Sequence, residues 1–133
     1  MLRLDKILTY FLIPTSFFLF HMFLDLVFDI YTKFPWFGNI MHFSGGIVLG
    51  FTFFPLLNYL NEEKYLKLDK IMKFIFVLSL VGLFAIFWEF YEFTMVNVFS
   101  VNWQMTYGDT IIDLFLGLIG GIIASAIFLW KKY

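Results

Sequence analysis

Four apolar stretches, at about residues 7–30, 40–60, 71–98 and 110–130, each reach the roughly 20 residues that an α-helix needs to cross a bilayer. Backbone in hydrocarbon must satisfy its own N–H and C=O groups, and a run of this length does so as a helix. The pattern predicts an all-α fold: a polytopic membrane protein with four transmembrane helices in a bundle, residues 1–133 forming one transmembrane domain. Composition agrees, with 62% hydrophobic, 24% aromatic and 14% charged residues, where a soluble domain carries about a quarter charged. The lipid bilayer is therefore the first expected partner. A net charge of -1 leaves no basic stripe for nucleic acid, so no nucleic-acid partner is expected. The absence of cysteine excludes disulfides and thiolate metal sites.

The N-terminal apolar run follows Arg3 and Lys6 and continues past Pro14 to Leu24 without a small-residue cleavage site. It reads as a first membrane helix rather than a cleaved signal peptide. Pro14 and Pro55 fall inside the first two helices and predict kinks rather than breaks. The third helix begins in KLDKIMKF, whose mixture of lysine and apolar side chains predicts a start lying partly in the interface. Arg3 and Lys6 precede the first helix, Lys64, Lys67, Lys70 and Lys73 lie between or at the ends of the second and third, and Lys131 and Lys132 follow the fourth. Only Lys33 is on the other side, so the positive-inside rule puts both termini in the cytoplasm. Trp36, Trp103 and Tyr107 then mark the outer interface, and Tyr59, Tyr65, Trp130 and Tyr133 the inner one.

This topology gathers the acids. Asp25 and Asp29 fall near the outer end of the first helix, His42 near the outer start of the second, Glu89 and Glu92 in the outer half of the third, and Asp109 and Asp113 in the first turns of the fourth. His21 lies about 13 Å below the end of the first helix. An ionised carboxylate in hydrocarbon is costly and faces a partner, a cavity or an ion. Glu89 and Glu92, in Trp88-Glu89-Phe90-Tyr91-Glu92, are one turn apart on one helix face. His21, Asp25 and Asp29 recur at spacing four, and a carboxylate one turn from an imidazole can fix its tautomer or share an ion with it. A plain His–Asp pair inside the bundle, with Asp29 at the water interface, is the simpler alternative. Asp109 alone reads as an N-cap, and Trp88 as packing.

His42, Gly46 and Gly50, and likewise Asp113, Gly117, Gly121 and Ser125, recur at spacing four. Small residues at that interval let membrane helices approach closely. Each stripe carries a polar residue at its outer end, which points His42 and Asp113 inward. The two stripes hint at a repeat of two hairpins, with His42 matching Asp113. They also offer Gly-rich faces for a homo-oligomer.

The candidate ligand set is thus His21, Asp25, His42, Glu89, Glu92, Asp109 and Asp113. Oxygen ligands with one or two imidazoles suit a divalent metal such as Zn, Mn or Fe, and helix bundles host paired-metal carboxylate sites. The histidine three residues after each glutamate that such bundles use is absent. Without a metal, some carboxylates would be protonated and the set would be a proton-relay or cation pocket.

His42-Phe43-Ser44-Gly45-Gly46, Trp88-Glu89-Phe90-Tyr91-Glu92 and Gly108-Asp109-Thr110-Ile111-Ile112-Asp113-Leu114 resemble the motifs of the YjdF-like group of small integral membrane proteins, and more distantly the VanZ-like group. Members of the first group are often longer, with further helices before these. The resemblance implies that His42, Glu89, Glu92, Asp109 and Asp113 form a characteristic polar set, and it carries no reaction.

Three functions fit. The first is a cation site that, in an enzyme, assists hydrolysis or modification of a lipid-linked substrate, with Glu89 or Glu92 as ligand or general base. The second is a structural or partner-binding subunit whose acids pair among themselves. The third is a proton- or cation-coupled transport module working as an oligomer.

Overall fold

Each apolar stretch is helical in the computed structural model, which describes residues 4–103 and 105–130, and no strand occurs among the described residues. Local chemistry explains where the helices stop. Pro14 has no N–H for the carbonyl of Tyr10, and its ring crowds that carbonyl. The first stretch accordingly breaks at Phe11 into α1 (Leu4–Tyr10) and α2 (Leu12–Phe28), bent by 41°. The expected kink at Pro14 is therefore corrected to a break. Pro55, in contrast, sits inside an uninterrupted α4 (Phe37–Glu62).

α2 ends at Asp29, whose backbone is left-handed (φ 51°, ψ 49°), a conformation that aspartate tolerates better than most residues. The Lys33 ammonium donates to the Phe28 carbonyl at 2.7 Å and so caps the helix end. A single turn, α3 (Ile30–Lys33), follows before Pro35. Asp29 thus ends the helix instead of extending the face that carries His21 and Asp25.

The Asp69 carboxylate accepts the Met72 N–H at 2.8 Å and starts α5 (Lys70–Asn97). Residues 67–69 are loop, and α5 starts at Lys70, one residue before the expected start at about 71. α6 (Tyr107–Trp130) completes the chain. α4, α5 and α6 are each long and apolar enough to cross a membrane, and the bent α1–α2 pair makes a fourth span if it crosses as one unit. Arg3, Lys131, Lys132 and Tyr133, which entered the orientation argument, lie outside the described residues.

α4 and α6 form the tightest pair. A Cβ added to Gly46 would stand 1.9 Å from the Gly117 carbonyl oxygen, and one on Gly120 would stand 2.2 Å from that of Phe43. No side chain fits at either place, so backbone packs on backbone. Gly50 meets Ala124, Gly121 meets Val81 of α5, and Ser125 is fully buried below them. The Gly-rich faces that the sequence offered to a second copy are therefore spent inside the chain.

The far half of the bundle is an apolar core built on Phe53, Phe54, Leu56, Leu57, Val77 and Val81. Tyr59 is buried there with the Lys6 ammonium 4.1 Å from its ring centroid, so it does not mark a lipid-facing interface. Among the three long helices α2 approaches only α4 by backbone, since none of its Cα atoms comes within 8 Å of α5 or α6, and it meets α5 through side chains alone.

Gly46→Ala and Gly120→Ala are each expected to cost more than the usual ~1–3 kcal/mol of overpacking, because rigid backbone is the obstacle. Gly82→Ala, where the added Cβ meets only Leu118 Cδ2 at 3.6 Å, is expected to leave stability within about 1 kcal/mol of wild type. Thermal unfolding in detergent compares the three.

Candidate metal centre

The contact of Gly46 with Gly117 draws α4 and α6 together one turn below His42 and Asp113, so these two side chains enter the same space. His42 Nε2 lies 3.6 Å from Asp113 Oδ2. α5 completes the group from a third direction. Glu89 Oε1 and Glu92 Oε1, one turn apart on α5, are each 3.7 Å from the same nitrogen. One ligand atom from each of the four residues lies within 4.8 Å of every other.

Separations of 3.6–3.7 Å are too long for hydrogen bonds. They are close to the ~3.4 Å that separates two donors of a tetrahedral ion with bonds of about 2.1 Å. Burial is nearly complete, with the His42 and Glu89 side chains 5% and 8% exposed. Even so, His42 Nε2, both Glu89 oxygens and Asp113 Oδ1 have no hydrogen-bond partner. Buried polar atoms are normally satisfied, and a group of this kind could hold a metal ion. Three carboxylates against one imidazole leave the group negative, which suits a divalent cation.

Glu92 is held differently. The Trp88 indole N–H donates to its Oε1 at 2.7 Å. Trp88 therefore does more than pack, and it stands between two imidazoles, its ring 4.7 Å from His21 and 6.1 Å from His42. Glu92 and Asp113 also border a polar hollow of about 60 Å³, shared with Asp109, Tyr31 and Trp103. It has room for a few waters.

His21, Asp25 and Asp109, the other candidate ligands, stay outside the four-residue group. His21 is 2% exposed and takes the Tyr31 hydroxyl at 2.6 Å on Nδ1. Burial, with the Glu92 and Asp25 carboxylates nearby, pushes the Tyr31 hydroxyl above its ordinary range and keeps it a proton donor. The Asp25 carboxylate accepts from the Trp103 indole N–H at 3.0 Å and from the Tyr31 backbone N–H at 3.3 Å. It thereby ties α3 and the loop before α6 across the end of the bundle. Asp109 exchanges hydrogen bonds with Thr106: its N–H donates to Thr106 Oγ1 at 3.2 Å, and its Oδ2 accepts the Thr106 hydroxyl at 2.7 Å. Thr106 is thus the N-cap of α6, and Asp109 stands three residues on as its partner. Asp29 is exposed.

Sequence reasoning passed over Tyr31, Thr106 and the polar use of Trp88 and Trp103. The two indoles had a signal, since a buried Trp N–H usually finds an acceptor, and two acids had no assigned donor. Tyr31 and Thr106 had none, because their partners depend on where the loops fold.

A family described as a predicted membrane protein (DUF2238) matches residues 2–132. An uncharacterised protein of Thermotoga maritima is 28% identical over 106 residues, covering 78% of this chain and 53% of that protein. The chain thus spans about half the length of the curated relative it matches. No solved structure matches. These matches bear out a family of predicted membrane proteins, and they show neither the YjdF-like nor the VanZ-like resemblance.

Asp25→Ala removes the acceptor for Trp103 and Tyr31 and is expected to cost the end cover about 1–3 kcal/mol. Hydrogen exchange checks this, with the amides of Tyr31 and residues 101–103 expected to exchange faster while those of α4 and α6 do not change.

Proposed function

The chain belongs to the DUF2238 family of predicted membrane proteins, and from that premise we propose that it binds one divalent metal ion through His42, Glu89, Glu92 and Asp113. The observation that carries this reading is the convergence of one ligand atom from each of the four residues, all within 4.8 Å of one another and mostly buried. All four ligands belong to the three motifs that resemble the YjdF-like group. One imidazole with three carboxylates favours Zn, Mn or Fe.

The surroundings support a metalloenzyme acting on a lipid-linked substrate. A bound divalent metal would supply a water of lowered pKa and polarise a carbonyl or phosphoryl oxygen. Glu89, buried on α5 with both oxygens unpartnered, serves as ligand. Glu92, which borders the polar hollow and has Oε1 held by the Trp88 indole, is the ligand nearest to water entering there. The charge pattern of the loops favours both termini in the cytoplasm, which puts the centre in the outer leaflet half. The transport reading loses its oligomer interface, since the glycine stripes are occupied by each other.

Elemental analysis of protein purified without chelator tests the centre. About one equivalent of Zn, Mn or Fe is expected in the wild type and in Asp29→Asn, with at least ~10-fold loss in His42→Ala and Glu89→Gln. Retention should fall as pH falls, because protons compete for every ligand. A folded wild type that takes up none of the three metals on dialysis would overturn the proposal and leave the structural-subunit reading.

A further inference from the structure

A second cavity, of about 290 Å³, lies beside the metal centre and is lined by α2, α4 and α5. Its walls are apolar over most of their length, from Phe11 at one end, past Gly45, Leu49 and Phe84, to His42 and Trp88 at the other. Along α4 it runs from Met41 to Leu49, about 12 Å at 1.5 Å per residue. The cavity is thus longer than it is wide. An α-helix, about 10–12 Å across with its side chains, cannot enter a space of this volume. An extended hydrocarbon chain can.

The cavity has a side opening. α2 and α5 make no backbone contact across it. Near the metal centre, aromatic side chains bridge them, with the Phe18 ring 5.3 Å from Trp88 and 5.9 Å from Tyr91. At the far end the Phe53 ring meets Phe11 at 6.2 Å and Phe84 at 5.3 Å. Between these two aromatic closures no Cα atom of α2 comes within 8 Å of α5, which leaves a route for a chain from the surrounding bilayer, where hydrocarbon chains are the solvent. The break at Phe11 leaves α2 attached to the rest chiefly through α4, which suits a seam between α2 and α5 that parts.

We propose that this cavity is the seat of one hydrocarbon chain of an anionic membrane lipid, entering between α2 and α5 and bringing its headgroup to the metal centre. The headgroup half of the statement rests on the metal reading above, and the chain half rests on the cavity alone. Shape selects the chain and the adjoining centre selects the headgroup: a divalent ion beside His42 attracts phosphate or carboxylate oxygens.

The test is photolabelling in phosphatidylcholine vesicles, with a trace of either phosphatidylglycerol or a polyprenyl phosphate carrying a diazirine in its chain. The two probes distinguish an acyl from a prenyl source. Saturable labelling of the α4 and α5 peptides that contain Leu49 and Phe84 is expected, competed by excess unlabelled probe. Gly45 lines the cavity and has room for a Cβ, which meets only Phe17 Cε1 at 3.7 Å, so Gly45→Leu is the variant chosen to fill it. By displacing about two methylenes it should weaken cavity labelling about tenfold, leave labelling of outward-facing Leu26 unchanged, and keep the metal. Val48→Phe should do the same. Non-saturable labelling, or labelling confined to outward-facing side chains such as Leu26, overturns the chain site without any variant. If Glu89→Gln loses metal and labelling stays saturable but needs more probe, both halves stand; if it loses metal and the anionic probes label as in the wild type, the headgroup half falls and the chain site survives. If the wild type holds no metal yet labels saturably, the headgroup half falls and the chain site survives.

Discussion

Backbone contact between α4 and α6 is the constraint on which the other features depend. Where Gly46 meets the Gly117 carbonyl and Gly120 meets that of Phe43, the helix axes come as close as polypeptide allows. Two consequences follow. The helices cannot rotate about their axes without driving a carbonyl into a neighbouring backbone, so the register of His42 against Asp113 is set by steric exclusion rather than by mutual attraction. Moreover, a polar pair that would be costly in hydrocarbon is held by packing that does not itself depend on charge. The cost of burying the acids is met elsewhere in the structure from the place where it is incurred.

α5 carries a different load. Its two glutamates close the polar group, while Val77 and Val81 close the apolar core further along the same helix. One element therefore spans two environments, and the boundary between them lies near Ala85, which packs against Gly117. On one side of this boundary the interior is satisfied by dispersion and ring contacts such as the stack of Phe54 on Phe128, 4.9 Å apart. On the other side it is left with unpartnered oxygens. A purely structural bundle would gain nothing from that second half, since apolar residues of similar volume would fill it without orphaned groups.

The first helix pair and the loops form a cover rather than a fourth wall. Asp25, His21, Tyr31 and Trp103 hold one another through three hydrogen bonds across separate chain segments, and Trp88 links this layer to Glu92. An arrangement of this kind can loosen without disturbing α4, α5 and α6. The polar group borders a polar hollow toward the bundle end, while the apolar cavity reaches His42 and Trp88.

Helix type, approximate spans and membrane class were legible in the chain because each follows from properties of consecutive residues: length, apolarity and the need to satisfy the backbone locally. The small-residue spacing likewise revealed which faces of α4 and α6 are smooth, and hence where His42 and Asp113 point. Glu89 and Glu92 were readable as a pair because one turn of helix is a local fact. Which of the seven acids and histidines meet was not local. His21 and Asp25 share a face of α2, yet α2 stands off α5 and α6, and its polar groups are taken by Tyr31 and Trp103, residues whose positions depend on loops. Asp109 lies one turn from Asp113 and is diverted by Thr106. The break at Phe11 and the left-handed residue at Asp29 also decided how far the first helix could follow its neighbours. Sequence determined the elements and their faces, because those are set by nearest neighbours along the chain. Only tertiary structure decided the partners, because ångström-scale distances between side chains depend on how closely separate helices approach.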